Sequence, residues 1–110
     1  MADASTLDRL FETIRARKGA DPATSYTAKL FSRGRAKIAQ KVGEEATEAV
    51  IEAVSGTPDK LASESADLLY HLLVLWADAG LEPQDVYAIL EKREGTSGIA
   101  EKKARPQQQQ

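Results

Sequence analysis

Residues 68–76 form a nearly unbroken apolar stretch, and this stretch limits the folds that are open to the chain. It lies in a predicted helix that begins after Thr57, a good N-cap followed by proline, and stops at Gly80. A helix that is apolar on almost every side must be buried on most of them. A chain of 110 residues has little interior for this purpose. We therefore expect a second copy of the chain to cover part of this helix.

Apolar residues at three- and four-residue spacing predict further helical segments on both sides of this helix. The segments are Leu7–Lys18 with Ser5 as N-cap, Tyr26–Phe31 as a short piece ending near Gly34, Arg35–Val54, and a last helix that begins at Pro83 and stops at Gly95. The sequence shows no alternating strand pattern and no internal repeat, so the predicted fold class is all-α with four to five helices. We expect one domain over residues 1–105 and a disordered, Gln-rich tail over residues 106–110.

The composition excludes several classes of function. With 15 Lys and Arg against 17 Asp and Glu, the net charge of −2 provides no overall field to attract nucleic acid or an anionic membrane. The absence of Cys excludes disulfides, thiolate nucleophiles and thiolate-bound zinc. The first residues are polar, and the longest apolar stretch has about half the roughly 20 residues of a membrane span. We therefore expect a cytoplasmic protein.

Two consecutive predicted helices each carry a pair of acidic residues three positions apart. Glu45 and Glu48 share one face of the helix Arg35–Val54, and Glu64 and Asp67 share one face of the next helix. Because the connection between these helices is short, antiparallel packing would make the two pairs neighbours. Converging carboxylates repel one another unless they remain in water or a cation neutralises them.

Carboxylate oxygens select hard cations, so the expected metal is Mg²⁺, with Mn²⁺ as a natural substitute. A site of this kind can bring positive charge and an activated water to a phosphate chain, which is the chemistry of phosphoanhydride hydrolysis. Glu45 or Glu48 would then orient the water or accept its proton. The alternative is an ordinary solvated helix face, where acidic residues at this spacing are common.

The pattern E-x-x-E on one helix and E-x-x-D on the next resembles the all-α nucleoside triphosphate pyrophosphohydrolase superfamily, which has the MazG-like fold. Within it, the chain resembles the phosphoribosyl-ATP pyrophosphatase family over nearly its whole length. The segments that carry this likeness are residues 25–31 (SYTAKLF), 41–48 (KVGEEATE), 64–71 (ESADLLYH), 93–98 (REGTSG) and 101–103 (EKK). The resemblance implies an enzyme of histidine biosynthesis that hydrolyses phosphoribosyl-ATP to phosphoribosyl-AMP and pyrophosphate. It also implies Mg²⁺ and a MazG-like bundle assembled as an intertwined homodimer.

The resemblance also carries over to individual residues. The superfamily's metal ligands fall on Glu45, Glu48, Glu64 and Asp67, and Glu44 is a weaker candidate at the edge of the helix face. Candidate residues for binding the anionic substrate are Lys41, Arg93, Ser97, Lys102, Lys103, Tyr26, Lys29 and Arg33. An ordinary solvated charge run explains Lys41, Arg93, Lys102 and Lys103 equally well. Tyr26, Lys29 and Arg33 form a second candidate patch. His71 shares the helical face of Asp67, so it is a candidate for supporting the metal ligands. A lone His in an apolar helix is more often a hydrogen-bonded core residue.

Three other interpretations remain open. A housekeeping or deoxynucleotide triphosphate pyrophosphohydrolase of the same superfamily would keep the carboxylates and change substrate recognition, although the basic Gly-Ser turn and tail argue against it. A non-catalytic helical dimer would need no metal and no facing acidic pairs. A di-iron carboxylate bundle would need Glu-x-x-His, which the sequence lacks. The sequence also leaves open an association with the next enzyme of the pathway.

Overall fold

The computed structural model describes residues 1–95, 98, 102, 103 and 105 of the chain. Five α-helices have defined bounds, the described residues 98, 102 and 103 are also helical, and none of the described residues lies in a strand. The helices are α1 (Ser5–Ala16), α2 (Tyr26–Arg33), α3 (Arg35–Ser55), α4 (Pro58–Ala79) and α5 (Pro83–Arg93). The predicted all-α class with four to five helices is confirmed. The predicted tail at residues 106–110 lies outside the described residues, and the single domain over residues 1–105 stays a prediction.

Local capping explains where α2 and α4 begin and where α4 ends. The Ser25 hydroxyl accepts a hydrogen bond from the backbone N–H of Ala28 (3.1 Å) at the start of α2. The Thr57 hydroxyl accepts one from the N–H of Lys60 (3.3 Å) at the start of α4. Gly80 ends α4 in the left-handed region (φ 80°), which glycine adopts without a Cβ clash. The predicted limits of α4 are therefore confirmed.

The predicted N-cap of α1 is wrong. Ser5 is the first helical residue, and the N-cap is Ala4, which makes no side-chain cap. The Asp3 carboxylate instead accepts a hydrogen bond from the Ser5 N–H (2.9 Å) and another from the Ser5 hydroxyl, and these bonds lower the pKa of Asp3. Asp and Ser are both good acceptors for the N–H groups of a helix start, and here the earlier residue takes the role. The helix ends at Ala16 rather than Lys18, since the residues that follow form a turn.

The apolar core lies where four of the helices meet. Its fully buried residues come from α1, α2, the beginning of α3 and the second half of α4, and they are Phe11, Ile14, Leu30, Ile38, Leu73 and Val74. Of its own residues α5 buries only Pro83. A hydrogen bond from the Tyr87 hydroxyl to the Asp8 carboxylate (3.0 Å) helps to hold α5 against α1. The free energy of apolar burial therefore comes mainly from α1–α4.

Helices α3 and α4 form a long antiparallel hairpin, as the sequence predicted. Arg35, at the start of α3, donates hydrogen bonds to the carboxylate and the carbonyl of Asp78, near the end of α4 (both 2.9 Å). At the other end, Gly56 and Thr57 alone join the two helices. This geometry places the acidic residues of α3 opposite those of α4.

Apolar side chains are exposed near the tip of the α3–α4 hairpin. Val50 and Val54 are 62% and 83% exposed, and Ile51 is also exposed. In α4, Leu69 remains exposed although the rest of the apolar stretch is buried or half-buried. No helix in the described part of the chain is both long and apolar enough to cross a membrane. Part of the apolar surface that the sequence predicts to need a second copy is thus open in the single chain.

Candidate metal centre

Helices α3 and α4 bring three acidic side chains together on the inner side of the hairpin. Glu45, Glu64 and Asp67 each offer a carboxylate oxygen, and these oxygens all lie within 4.8 Å of one another. We call this group the acidic cluster. Glu45 and Glu64 are half-buried, and Asp67 is exposed. Three carboxylate oxygens at this separation can hold a hard divalent cation, which prefers oxygen ligands.

Two further carboxylates of α3 act on the acidic cluster without belonging to it. Partial burial raises the pKa of Glu64, and so do the negative charges of Asp67, Glu45, Glu48 and Glu52, in that order. Glu48, a predicted ligand, therefore lies close to Glu64 although it is outside the 4.8 Å group. Glu52 was not among the predicted ligands, but the spacing of residues 45, 48 and 52 on one helical face already indicated its position. Burial is the largest cause of the raised pKa of Glu64, and the four neighbouring carboxylates add repulsion that a bound cation would relieve.

Glu44, the weaker of the predicted ligands, does not belong to the acidic cluster. Its carboxylate accepts hydrogen bonds from the Gln40 amide (2.8 Å) and pairs with the Lys41 ammonium (3.3 Å). The bond from Gln40, and then the bond from Lys41, lower the pKa of Glu44. The structure therefore gives Glu44 partners on α3 itself and does not bring it into the cluster.

Lys41 stands at the edge of the acidic cluster. Its ammonium is 3.3 Å from the Glu44 carboxylate and 4.0 Å from that of Glu45, and the side chain is about three-quarters buried, at 25% exposure. The hydrogen bond to Glu44 is the main cause of the raised pKa of Lys41, and the charge of Glu45 adds to it. A cation held beside the cluster in this way can meet an anionic group that approaches the same site.

The N-terminal turn of α2 is joined to the turn of α4 that carries Asp67. The Tyr26 hydroxyl lies 3.1 Å from Nε2 of His71, and Nδ1 of His71 lies 2.8 Å from the backbone carbonyl of Asp67. The next residue of α2, Thr27, is hydrogen-bonded through its hydroxyl to the hydroxyl of Tyr70, which precedes His71 in α4. His71 is a buried, hydrogen-bonded residue, at 6% exposure. These polar contacts fix α2 beside the acidic cluster.

The other predicted substrate-binding residues are not drawn into the acidic cluster by the described contacts. Lys29 and Arg33 are exposed on α2, and Arg93 is exposed at the end of α5. Lys102 and Lys103 follow α5 and are also exposed, while Ser97 lies outside the described residues. Of the other helices, α5 makes its main contacts with α1. The substrate-binding roles of these residues stay predictions.

The five-helix fold and the acidic cluster between its two longest helices define an all-α protein with a candidate site for a hard divalent cation. Comparison with known proteins is more specific. Residues 7–94 match the family described as phosphoribosyl-ATP pyrophosphohydrolase. The chain therefore belongs to the phosphoribosyl-ATP pyrophosphohydrolase family, and it is an enzyme of the hydrolase class.

Individual relatives agree with the family match. The chain is 74% identical over 102 residues to the phosphoribosyl-ATP pyrophosphatase of Azospirillum brasilense, covering 93% of this chain and 92% of the relative. It is 64% identical over 104 residues to the protein of that name from Parvibaculum lavamentivorans, covering 94% and 95% of the two chains. It is 62% identical over 103 residues to the one from Paramagnetospirillum magneticum, covering 94% of each. The similarity thus extends over nearly the full length of this chain and of each of the three relatives.

Proposed function

We propose that this chain hydrolyses phosphoribosyl-ATP to phosphoribosyl-AMP and pyrophosphate in histidine biosynthesis. The observation that carries the proposal is the acidic cluster of Glu45, Glu64 and Asp67. Relatives named for pyrophosphate release from phosphoribosyl-ATP match the chain along nearly its whole length, including both helices that supply the cluster. A triphosphate chain is strongly anionic, so a protein that cleaves it needs concentrated positive charge.

The donor set of the cluster fits Mg²⁺, with Mn²⁺ as a substitute, because all three side chains offer hard carboxylate oxygens. Glu45, Glu64 and Asp67 would hold the ion, and Glu48 and Glu52 add negative charge around it. When bound, such an ion supplies positive charge to the triphosphate and lowers the pKa of water. Partial burial first, and then four neighbouring carboxylates, raise the pKa of Glu64, and a bound cation would neutralise these charges.

Residues around the acidic cluster would orient the attacking water and contact the phosphate oxygens. Glu48 lies near Glu64 but outside the cluster, so its carboxylate can orient the attacking water and accept its proton. The water oxygen forms a bond to phosphorus while the bond to the bridging oxygen breaks, and pyrophosphate leaves. Glu45, the other candidate for this role, is engaged in the cluster. Lys41 provides a cation for phosphate oxygens, and the exposed Arg93, Lys102 and Lys103 are further candidates for phosphate contacts. Ser97, which the sequence also predicts, stays a candidate for the same role.

The same proposal includes an intertwined homodimer that acts in the cytoplasm. The radius of gyration is 16.0 Å, whereas a compact domain of this length has about 13 Å. The hairpin tip leaves Val50, Ile51 and Val54 exposed, and a second copy would remove these side chains from water. The lack of Cys in the sequence suits a reducing compartment.

The test is pyrophosphate release from phosphoribosyl-ATP with and without Mg²⁺, beside ATP and deoxynucleotide triphosphates. Glu48→Gln removes the proposed water-orienting carboxylate, and Glu91→Gln changes an exposed carboxylate on α5 as a matched control. We expect Mg²⁺-dependent turnover of phosphoribosyl-ATP that is lost in Glu48→Gln and retained in Glu91→Gln. Preference for a deoxynucleotide triphosphate would keep the mechanism and reject the pathway. No metal-dependent turnover of any triphosphate would favour a non-catalytic helical dimer.

A further inference from the structure

Tyr26, the first residue of α2, contacts the part of α4 that follows Asp67 of the acidic cluster. Its ring stacks against Tyr70 (ring centroids 6.2 Å apart, planes at 22°) and meets the edge of His71 (6.0 Å, 81°). On the α3 side it lies near Lys41, whose pKa is raised first by Glu44 and also by Tyr26. Even so, Tyr26 remains 51% exposed. An exposed tyrosine held by aromatic and polar contacts next to a metal site is placed to touch a ligand.

The partners of His71 decide which way the Tyr26 hydroxyl points its proton. Nδ1 of His71 lies 2.8 Å from the Asp67 carbonyl, which can only accept, so Nδ1 carries a proton and donates. In the neutral imidazole, Nε2 is then an acceptor, and the Tyr26 hydroxyl 3.1 Å away donates to it. The single proton of the phenol is therefore committed to His71. The exposed oxygen offers the ligand only its lone pairs.

An oxygen that can only accept does not suit phosphate, whose oxygens at neutral pH are also acceptors. It suits a hydroxyl or amino group. Resting on the proposed function, we propose that Tyr26 is a specificity-determining residue that accepts a hydrogen bond from a hydroxyl or amino group of the substrate outside its triphosphate. His71 is the positioning residue that fixes the donor direction of Tyr26. Ribose hydroxyls and the purine amino group of a nucleotide are donors of this kind, and the ribose is a few bonds from the triphosphate.

The test compares a substrate that has these donors with an anion that lacks them. For the unaltered chain and Tyr26→Phe, we would measure kcat and KM for phosphoribosyl-ATP. The assay uses saturating Mg²⁺ and a pH at which imidazole is neutral. We would also measure the inhibition constant of inorganic tripolyphosphate for both proteins. One lost hydrogen bond is expected to raise KM about three- to tenfold. We expect kcat, tripolyphosphate inhibition, and Mn²⁺ binding followed by electron paramagnetic resonance to stay unchanged.

His71→Asn separates positioning from general structure. The Asn amide keeps an N–H close to the Nδ1 position for the Asp67 carbonyl but has no acceptor where Nε2 was. We expect this variant to raise KM less than Tyr26→Phe does, because the phenol keeps its lone pairs and loses only its fixed orientation, and we expect the double variant to be no worse than Tyr26→Phe. A merely structural effect would instead add in the double variant.

Three results would overturn the inference: an unchanged KM in Tyr26→Phe, an equal weakening of tripolyphosphate inhibition, or additive effects in the double variant. Failure of the proposed function has a different signature, because the unaltered chain would then not turn over phosphoribosyl-ATP at all. That result would reject both the function and the role of Tyr26 that rests on it.

Discussion

If Mg²⁺ binds the acidic cluster as proposed, replacing Glu64 by Gln is expected to remove most of the stabilisation that the ion gives the folded chain. A ligand that binds only the folded state, at 100 times its dissociation constant, stabilises that state by about 2.7 kcal/mol. Losing even a residue that supports a metal ligand from outside lowers affinity about 10- to 100-fold. Glu64 supplies one of the three clustered carboxylates, so we expect at least about a 100-fold loss. At the same Mg²⁺ concentration the stabilisation then falls to about 0.4 kcal/mol.

The assay is thermal unfolding of the unaltered chain and Glu64→Gln, each with EDTA and with Mg²⁺, at one protein concentration. The lost stabilisation of about 2.3 kcal/mol corresponds to roughly 10 °C in the midpoint temperature for a domain of this size. Glu91→Gln, on the exposed side of α5, should keep the full Mg²⁺ shift. If Glu64→Gln kept it too, the acidic cluster would not be the metal site.

Three further predictions concern pH, the core and the assembly. Partial burial first, and then the surrounding negative charges, raise the pKa of Glu64 above its ordinary value of 4.5. The contribution of Glu64 to the stability of the fold is therefore present below pH 4.5 and is lost as the pH rises through the raised pKa. In EDTA, the stability advantage of Glu64→Gln should therefore grow between pH 4.5 and neutral pH in denaturant titrations, and a constant difference would contradict this. Ile38 is fully buried, so Ile38→Ala should cost about 2–5 kcal/mol in urea unfolding, and a loss below about 1 kcal/mol would contradict its place in the core. Val54→Asp should shift a dimer to monomer in sedimentation velocity at micromolar concentration, and an unaltered chain that already sediments as a monomer would reject the assembly.

Helix limits were predictable wherever one local signal decides them. Thr57 and Gly80 act through their own side chain or backbone conformation, and both ends of α4 were predicted correctly. At α1 two good acceptors stand close together, and the sequence does not decide whether Asp3 or Ser5 bonds the first N–H groups. The capping box at the start of α5, made by Glu82 with Asp85, was also missed because Glu is not among the residues preferred as N-caps.

The part of the candidate site that depends only on residue spacing along each helix was predictable. Phase and a short connection were enough to predict that acidic residues of the two helices face each other, as Glu45, Glu64 and Asp67 do. The rotation of each helix about its own axis depends on core packing, so the sequence could not separate Glu45 in the cluster from Glu48 beside it. The contact of Tyr26 with His71 joins residues 45 positions apart. It requires α2 to pack against α4, which no local pattern reveals.

The apolar core and the acidic cluster occupy different parts of the same two helices. Along α3, Glu45 follows Ile38 by seven residues, and along α4, Leu73 follows Asp67 by six. At about 1.5 Å per residue these separations are roughly 10.5 and 9 Å, near the distance beyond which substitutions usually act independently. Carboxylates on the hairpin can therefore change during evolution without weakening the contacts that keep the chain folded. New preferences for metal or substrate can arise on this scaffold by a few substitutions, each selected for its chemistry alone.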